Sequence, residues 1–413
     1  MFTNYIKIAW KVLLRHPFYT FITLFGISLT LTVLMVITSF LDHLIGSHYP
    51  ENRRNRLLYI QIISLSDSLQ QSHNNSLGSY EFMQRYVKTL KTPETVGLTT
   101  LFEFANTYVN NKRIELRIKH TDAQFWTVTD FDFVEGKPYD EQNMKQGDNV
   151  MVITDNLKKQ YFGETDQPVV GKYLTLDSRE FRVIGVVRGV PVTRPVTSAD
   201  LYMPATATHR PDLSKGFSGG YSALILARTP ADMSAIQDEY NQAISRIPLP
   251  NESNGFRFSV IETGAETYLG TWLRNFFDRS VSGIFYTVVG LFMLLFMALP
   301  AINLVNLNVS RIMERASEIG IRKAFGAPVR TLIGQFIVEN LFITFIGGAI
   351  ALVLSTLIIA YINQSGWIAK ADLTLNLTVF AVSILICLIF GLLSGVAPAF
   401  RMSRLPIADA LKV

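Results

Sequence analysis

The chain has 413 residues, 49% of them hydrophobic and 17% charged, with a formal net charge of +5. A charged fraction so far below the roughly 25% of soluble domains excludes an ordinary soluble protein, because the deficit is concentrated in four long apolar runs. The single cysteine, Cys387, lies inside one of those runs. This excludes a disulfide framework and a cysteine-based zinc site, and no helix-turn-helix, zinc-finger or aromatic RNA-binding pattern accompanies the positive charge, so nucleic acid is not the expected partner.

In chain order, residues 1–17 come first. Lys7, Lys11 and Arg15 recur at four-residue spacing among Ile6, Ile8, Ala9, Trp10, Leu13 and Leu14. This pattern predicts a cytoplasmic amphipathic helix lying on membrane lipid; the plainer alternative is the first turns of a long membrane helix. Residues 18–41 form the first apolar run, and at ~1.5 Å per residue they reach about 35 Å, enough to cross the hydrocarbon core. The run is too long for a signal-peptide core and no small-x-small cleavage site follows, so an uncleaved anchor is expected.

Residues 42–280 read like an ordinary soluble domain. Helical spacing covers Tyr80 to Leu90, and "RIELRIKH" (113–120) alternates as a half-buried strand does. Val150 to Ile153 reads as a short apolar strand, Asp155 as the N-cap of a helix over 156–161, and Gly163 as its stop. "KYLTL" and "FRVIGVV" read as two strands around a turn at Asp177–Ser178. Ser222 to Ala227 reads as a strand, and Ala231 to Ile244 as a helix. The expected fold class is therefore membrane α-helical, with four transmembrane helices, plus a large α+β extracytoplasmic domain in two lobes. "GFSGG" (216–220) matches a nucleophile elbow by letter, but a strand follows it instead of a helix, so a loop is the expected reading. The histidines His16, His43, His48, His73, His120 and His209 show no metal-ligand spacing.

The remaining spans are expected at 281–310, 331–362 and 377–400, with a short external loop at 363–376 and a tail at 401–413. Arg311, Arg315, Arg322, Lys323 and Arg330 crowd the loop at 311–330, and Arg401, Arg404 and Lys412 lie in the tail. The 363–376 loop has only Lys370, offset by Asp372. The positive-inside rule then places both termini and the 311–330 loop in the cytoplasm and residues 42–280 outside. Within the spans, Pro300 permits a kink ahead of Asn303 and Asn306, whose amides suit helix packing or gating. Glu339 is the only carboxylate near a span, and its closeness to Arg330 favours anchoring near the membrane surface over gating. Gly391 and Gly395 form a G-x-x-x-G packing pair.

The sharpest signal is the cytoplasmic loop. Arg311 to Phe325 reads as a charged amphipathic helix in which Glu318 and Arg322 form an i,i+4 pair. Gly326 suits a left-handed helix end and Pro328 the first turn of the next helix. The segment "ERASEIGIRKAFGAPVRTLIGQFIVENLF" closely resembles the signature loop of the MacB/FtsX permease family, roughly E-R-x-x-E-I-G-I-R-K-A-x-G-A. It matches at Glu314, Arg315, Glu318, Ile319, Gly320, Ile321, Arg322, Lys323, Ala324, Gly326 and Ala327. "ITDNLKKQYFG…VVGKYLTL…FRVIGVVRGVP" is similar to the family's periplasmic core domain, and "GLLSGVAPAFRMSRLPIADALKV" to its C-terminal ending.

The resemblance implies a non-enzymatic transporter subunit of the bacterial inner membrane. An ABC ATPase dimer is expected to dock on Glu314 to Ala327, with Ile319 and Phe325 as apolar plugs and Arg315, Arg322 and Lys323 as polar clamps. No G-x-x-x-x-G-K-[ST] occurs, so ATP and Mg are expected on that ATPase, a separate chain, and no cofactor on this one. A second permease subunit, identical or paralogous, is implied, as are mechanotransmission to the external domain and efflux of peptides or antibiotics with a periplasmic adaptor and an outer-membrane channel. Two other branches remain open: lipoprotein release, and a cell-division scaffold that activates a cell-wall hydrolase.

Overall fold

The computed structural model describes residues 10–404, except for 12, 16, 68–72, 110–111, 165–166, 208–215, 250–257, 278–282, 297, 299–328 and 368–372. The chain packs as two units, one helical and one formed by Leu44–Ser282.

The helical unit begins with Trp10, Lys11 and Leu13–Arg15 in helical conformation and continues as α1 (Pro17–Ile45). α1 and the segment Ile337–Ser365 are long and apolar enough to cross a membrane. Gly283–Phe296 and Leu377–Ile389 are shorter apolar helices, so the described residues contain two helices of spanning length and two shorter apolar ones. α1 buries a stripe that includes Ile27, Leu31 and Leu34, together with Thr23, Ser28 and Thr32. Leu13, Ile27 and Leu31 share a core with Ile343, Ala351 and Cys387. A Cβ on Gly347 would stand 2.8 Å from an Ile27 methyl, so this glycine lets two helices approach closely, as small residues do in bilayers. The Thr32 hydroxyl bonds back to the Ser28 carbonyl at 2.7 Å, and the Ser39 hydroxyl donates to the Thr374 carbonyl at 2.7 Å.

The sheet domain is built from β1 (Leu57–Ile60), β2 (Ile63–Ser66), β3 (His73–Gly78), α2 (Tyr80–Phe82), β4 (Thr95–Thr100), β5 (Glu103–Val109) and β6 (Lys112–Thr121). Next come α3 (Phe125–Val128), β7 (Phe133–Gly136), α4 (Glu141–Gln146), β8 (Val150–Thr154), α5 (Asp155–Phe162), β9 (Tyr173–Leu176) and β10 (Arg179–Val187). β11 (Leu201–Pro204), β12 (Ser218–Gly219), β13 (Tyr221–Leu226), α6 (Met233–Ser245), β14 (Val260–Thr263) and α7 (Tyr268–Phe277) complete it. α8 (Gly283–Phe296), α9 (Val329–Ser365) and α10 (Leu377–Arg404) belong to the helical unit.

One path of paired strands runs β14-β2-β3-β13-β4-β6-β11-β8-β10-β7, with β1, β5, β9 and β12 attached at its sides. The two lobes expected from sequence thus share one sheet. β8 explains its own position: Val150, Met151, Val152 and Ile153 are all buried, as befits a strand flanked by β10 and β11. β8–α5–β10 is a parallel crossover, and the β9–β10 hairpin turns through Asp177 (φ 43°) and Ser178 (φ 70°), both left-handed as a type I′ turn demands. Thr154, not Asp155, caps α5, its hydroxyl accepting from the Leu157 N–H at 3.3 Å. The helix expected over 80–90 forms, but as one α-turn continued by a π-turn at Met83–Val87. Gly136 closes β7 at φ 66°, where a Cβ would lie 2.1 Å from the Ile184 carbonyl oxygen.

Candidate functional site

The most heavily charged buried site among the described residues lies in the sheet domain, in the chain that follows α1. Glu51, Arg54 and Arg194 are 0%, 5% and 0% exposed. The Glu51 carboxylate accepts from Arg54 Nε at 2.8 Å and Nη2 at 2.6 Å, from the Tyr59 hydroxyl at 2.7 Å and from the Thr197 hydroxyl at 2.7 Å. Arg194 approaches the same carboxylate at 3.9 Å. Each guanidinium also reaches backbone: Arg54 Nη1 donates to the Leu44 carbonyl at 2.6 Å, and Arg194 Nη2 to the Gly46 carbonyl at 3.1 Å. Arg54 also lies 4.0 Å from the ring centre of Tyr268, at the start of α7. Tyr59 and Glu266 exchange two backbone hydrogen bonds, 2.7 and 2.9 Å.

Electrostatics follow from this geometry. Burial opposes the Glu51 charge, but Arg54, Arg194 and two hydroxyls hold its carboxyl below the ordinary range. Burial likewise opposes the Arg54 charge, and Glu51 more than restores it. Arg194 is pulled down by burial and then by Arg54, with Glu51 only partly compensating. A fully desolvated two-plus-one cluster of this kind is sensitive to loss of its one anion. Mechanically, it fastens three stretches into one body: the 44–56 segment that leaves α1, the 190–198 loop, and the first turn of α7, which precedes α8.

A second polar site lies deeper. Lys119 on β6 is 1% exposed and donates to the Thr100 carbonyl at 2.6 Å; burial pushes its pKa down to about 7. Burial pushes the neighbouring His120 down to about 4. Asp122 accepts from the Leu98 and Phe125 N–H groups, both at 2.9 Å, and pairs with Lys88 at 2.5 Å.

Of the residues singled out from sequence, Glu314, Arg315, Glu318, Ile319, Gly320, Arg322, Lys323, Ala324, Phe325, Gly326 and Ala327 lie outside the described residues, as do Pro300, Asn303 and Asn306. Glu339 sits in α9 and is 5% exposed. Gly391 and Gly395 lie one turn apart in α10. Ser218 of "GFSGG" lies in β12, paired with β3, and not on a strand-to-helix turn. Among the described residues no group of three metal-ligating side chains comes together. Glu51, Arg54 and Arg194 were not foreseen: "ENRRNR" reads as a solvated charge run, and no local spacing marks its third and fourth residues for different environments.

Residues 20–243 match the MacB-like periplasmic core domain and residues 290–407 the FtsX-like permease C-terminal domain. The chain belongs to the MacB/FtsX-type ABC transporter permease family. It is 24% identical over 418 residues to the macrolide export ATP-binding/permease protein MacB of Hahella chejuensis, an alignment covering 99% of this chain and 60% of that protein. It is 20% identical to the uncharacterized ABC transporter permease YknZ of Bacillus subtilis, across 84% of this chain and 83% of that one. The periplasmic region of MacB from Actinobacillus actinomycetemcomitans superposes with TM-score 0.34 at 16% identity, covering 48% of this chain and 98% of that structure.

Proposed function

We propose that this chain is the permease subunit of an ABC transporter in a bacterial inner membrane, with four spans and both termini in the cytoplasm. ATP hydrolysis by an ABC ATPase dimer outside these 413 residues moves the spans, and the movement passes to the external domain. The observation that carries this reading is the signature segment Glu314 to Ala327, inside the stretch that matches the FtsX-like permease C-terminal domain. Arg315, Arg322 and Lys323 clamp the ATPase while Ile319 and Phe325 fill its apolar groove. A second permease subunit completes the pair. The buried Glu51–Arg54–Arg194 cluster supports mechanotransmission, because it makes one body of the segments that continue into α1 and α8. Efflux of peptides or antibiotics, with an adaptor and an outer-membrane channel, is the substrate class we assign, in keeping with the macrolide export named for the Hahella relative.

The test is affinity purification of the tagged chain in mild detergent, with mass spectrometry and an ATPase assay of the co-purified proteins. An ABC ATPase is expected with the wild type and lost from an Arg322→Glu/Lys323→Glu variant. Equal recovery of the ATPase with both forms sinks the docking assignment.

A further inference from the structure

Strand β14 ends the path of paired strands. On one side it pairs with β2, Val260 opposite Ser66 and Thr263 opposite Ile63. Among the described residues no strand pairs with its other side. An edge strand turns a row of backbone N–H and C=O groups outward, where another chain can meet them. Two of the devices that blunt such an edge are absent here: β14 has no proline, and its pairing with β2 runs without a bulge.

A cavity of about 580 Å³ lies along this edge. Val260, Ile261, Glu262 and Thr263 all line it, although side chains of successive strand residues point to opposite faces. No residue of β2 lines it. Four consecutive residues of one strand and none of its neighbour place the cavity beside the β14 backbone, on the side away from β2. The facing wall is α6, through Asn241, Ile244 and Ser245, which share one helical face. Tyr240 fixes the spacing of helix and strand, its hydroxyl lying 3.0 Å from that of Thr263. Arg274, which also lines the cavity, stands at the Thr263 end, where its Nη2 would lie 2.7 Å from a Cβ on Gly264. Nη2 donates to Glu266 at 2.7 Å, whereas the enclosed Nε has no acceptor among the described residues.

We propose that this groove binds an extended peptide, which adds to β14 as a further strand and gives Arg274 Nε an acceptor oxygen. Strand addition is the mode of recognition that a free edge supports: main-chain hydrogen bonds supply affinity, and the walls receive alternate side chains. The four residues of β14 offer roughly 13 Å of edge, and the volume falls within the ~300–1,000 Å³ of ligand clefts. Ile244 gives the helix wall an apolar seat for one side chain, and Asn241 and Ser245 keep it polar on either side. A slot between one strand and one helix admits a single extended chain and excludes a broad folded surface. The inference stands on the sheet domain alone and depends neither on ATPase docking nor on what is transported.

The test uses the full chain in nanodiscs and a fluorescein-labelled octapeptide pool. In the pool, serine or threonine alternates with valine, isoleucine or leucine behind an N-terminal lysine. Its anisotropy should rise with added wild-type chain. The same pool N-methylated at every internal amide cannot donate to a strand edge and should bind about tenfold more weakly or worse. Arg274→Lys keeps a cation beside Glu266 but loses Nε, and should weaken binding about tenfold, the worth of one hydrogen bond to a charged group. Asn241→Trp, on the exposed side of α6, should fill the slot and abolish binding. Unfolding midpoints equal to wild type show that both variants remain folded. No binding by the wild type overturns the proposal, as does equal binding of the N-methylated pool or undiminished binding by either variant. So does a reversible dimer that excludes the pool and that Asn241→Trp abolishes, since a second copy would then occupy the edge.

Discussion

Removing the Glu51 carboxylate should be among the most damaging single changes in the sheet domain. Glu51→Ala deletes the one anion facing two enclosed guanidiniums and the shared acceptor of Tyr59 and Thr197. Breaking a buried ion pair from one side costs about 3–5 kcal/mol, and each orphaned hydroxyl adds roughly 1 kcal/mol, with strong overlap between them. A net loss of about 4 kcal/mol is expected. For a domain of this size that lowers the unfolding midpoint by roughly 8–16 °C. The assay is thermal unfolding of the detergent-solubilised chain carrying Trp10→Phe, Trp272→Phe and Trp367→Phe, so that only Trp126 in the domain core emits. Glu51→Gln, which keeps the shape and one acceptor oxygen, should fall between wild type and Ala. The cluster also sets an acid limit. Because the folded carboxyl sits below its unfolded value, its stabilisation is complete above the unfolded pKa and is lost as pH falls through the folded one. A Glu51→Ala chain within about 1 kcal/mol of wild type would refute the reasoning, since an uncompensated buried +2 cluster cannot be that cheap.

Lys119 gives a slope of opposite origin. The unfolded lysine holds its proton up to 10.5 and the folded one releases it near 7, so stability should rise with pH across that window and stay flat below it. The full window integrates to at most about 5 kcal/mol, and urea titrations of Lys119→Met at pH 7 and 9 should show the slope abolished. His120, depressed from 6.5 to about 4, should make the domain lose stability as pH falls through that range, and His120→Gln should flatten the loss in the same titrations. Thr154→Ala should cost about 1 kcal/mol by uncapping α5, whereas Asp155→Ala should cost less; denaturation midpoints compare the two. Gly136→Ala should destabilise by about 2 kcal/mol or more, because both the left-handed φ and the Ile184 carbonyl oppose a Cβ.

Where local chemistry decided structure, the sequence showed it. Asp177–Ser178 between two alternating runs announced the β9–β10 hairpin, and the apolar Val150–Ile153 run followed by a capped helix announced the parallel crossover. The α5 cap was displaced by one residue because Thr154 and Asp155 are both competent caps, and only the backbone path chose between them. β2 (ISLS) alternates over only four residues and β3 (HNNSLG) is mostly polar, so neither stands out in the sequence; they become strands by pairing with each other and with β14 and β13. The π-turn at Met83–Val87 likewise has no local signature. The Glu51 cluster escaped for a related reason. Arg54 is buried because Arg194, which approaches the same carboxylate, and Tyr268, which lies over the Arg54 guanidinium, come from far away in sequence to close around it. The segment Glu314 to Ala327, for which ATPase docking is proposed, is the reverse case: its motif is readable and it lies outside the described residues.

The central claim is that ATP hydrolysed by a partner alters the external domain of this chain. The direct measurement is hydrogen exchange of the chain reconstituted in nanodiscs with its ABC ATPase, compared without nucleotide and with ATP and vanadate. The account predicts altered protection in residues 44–60 and 268–277, where the domain continues into α1 and α8 and the Glu51 cluster joins them. Identical exchange throughout residues 44–277 in both states, from a complex that turns over ATP, would contradict it.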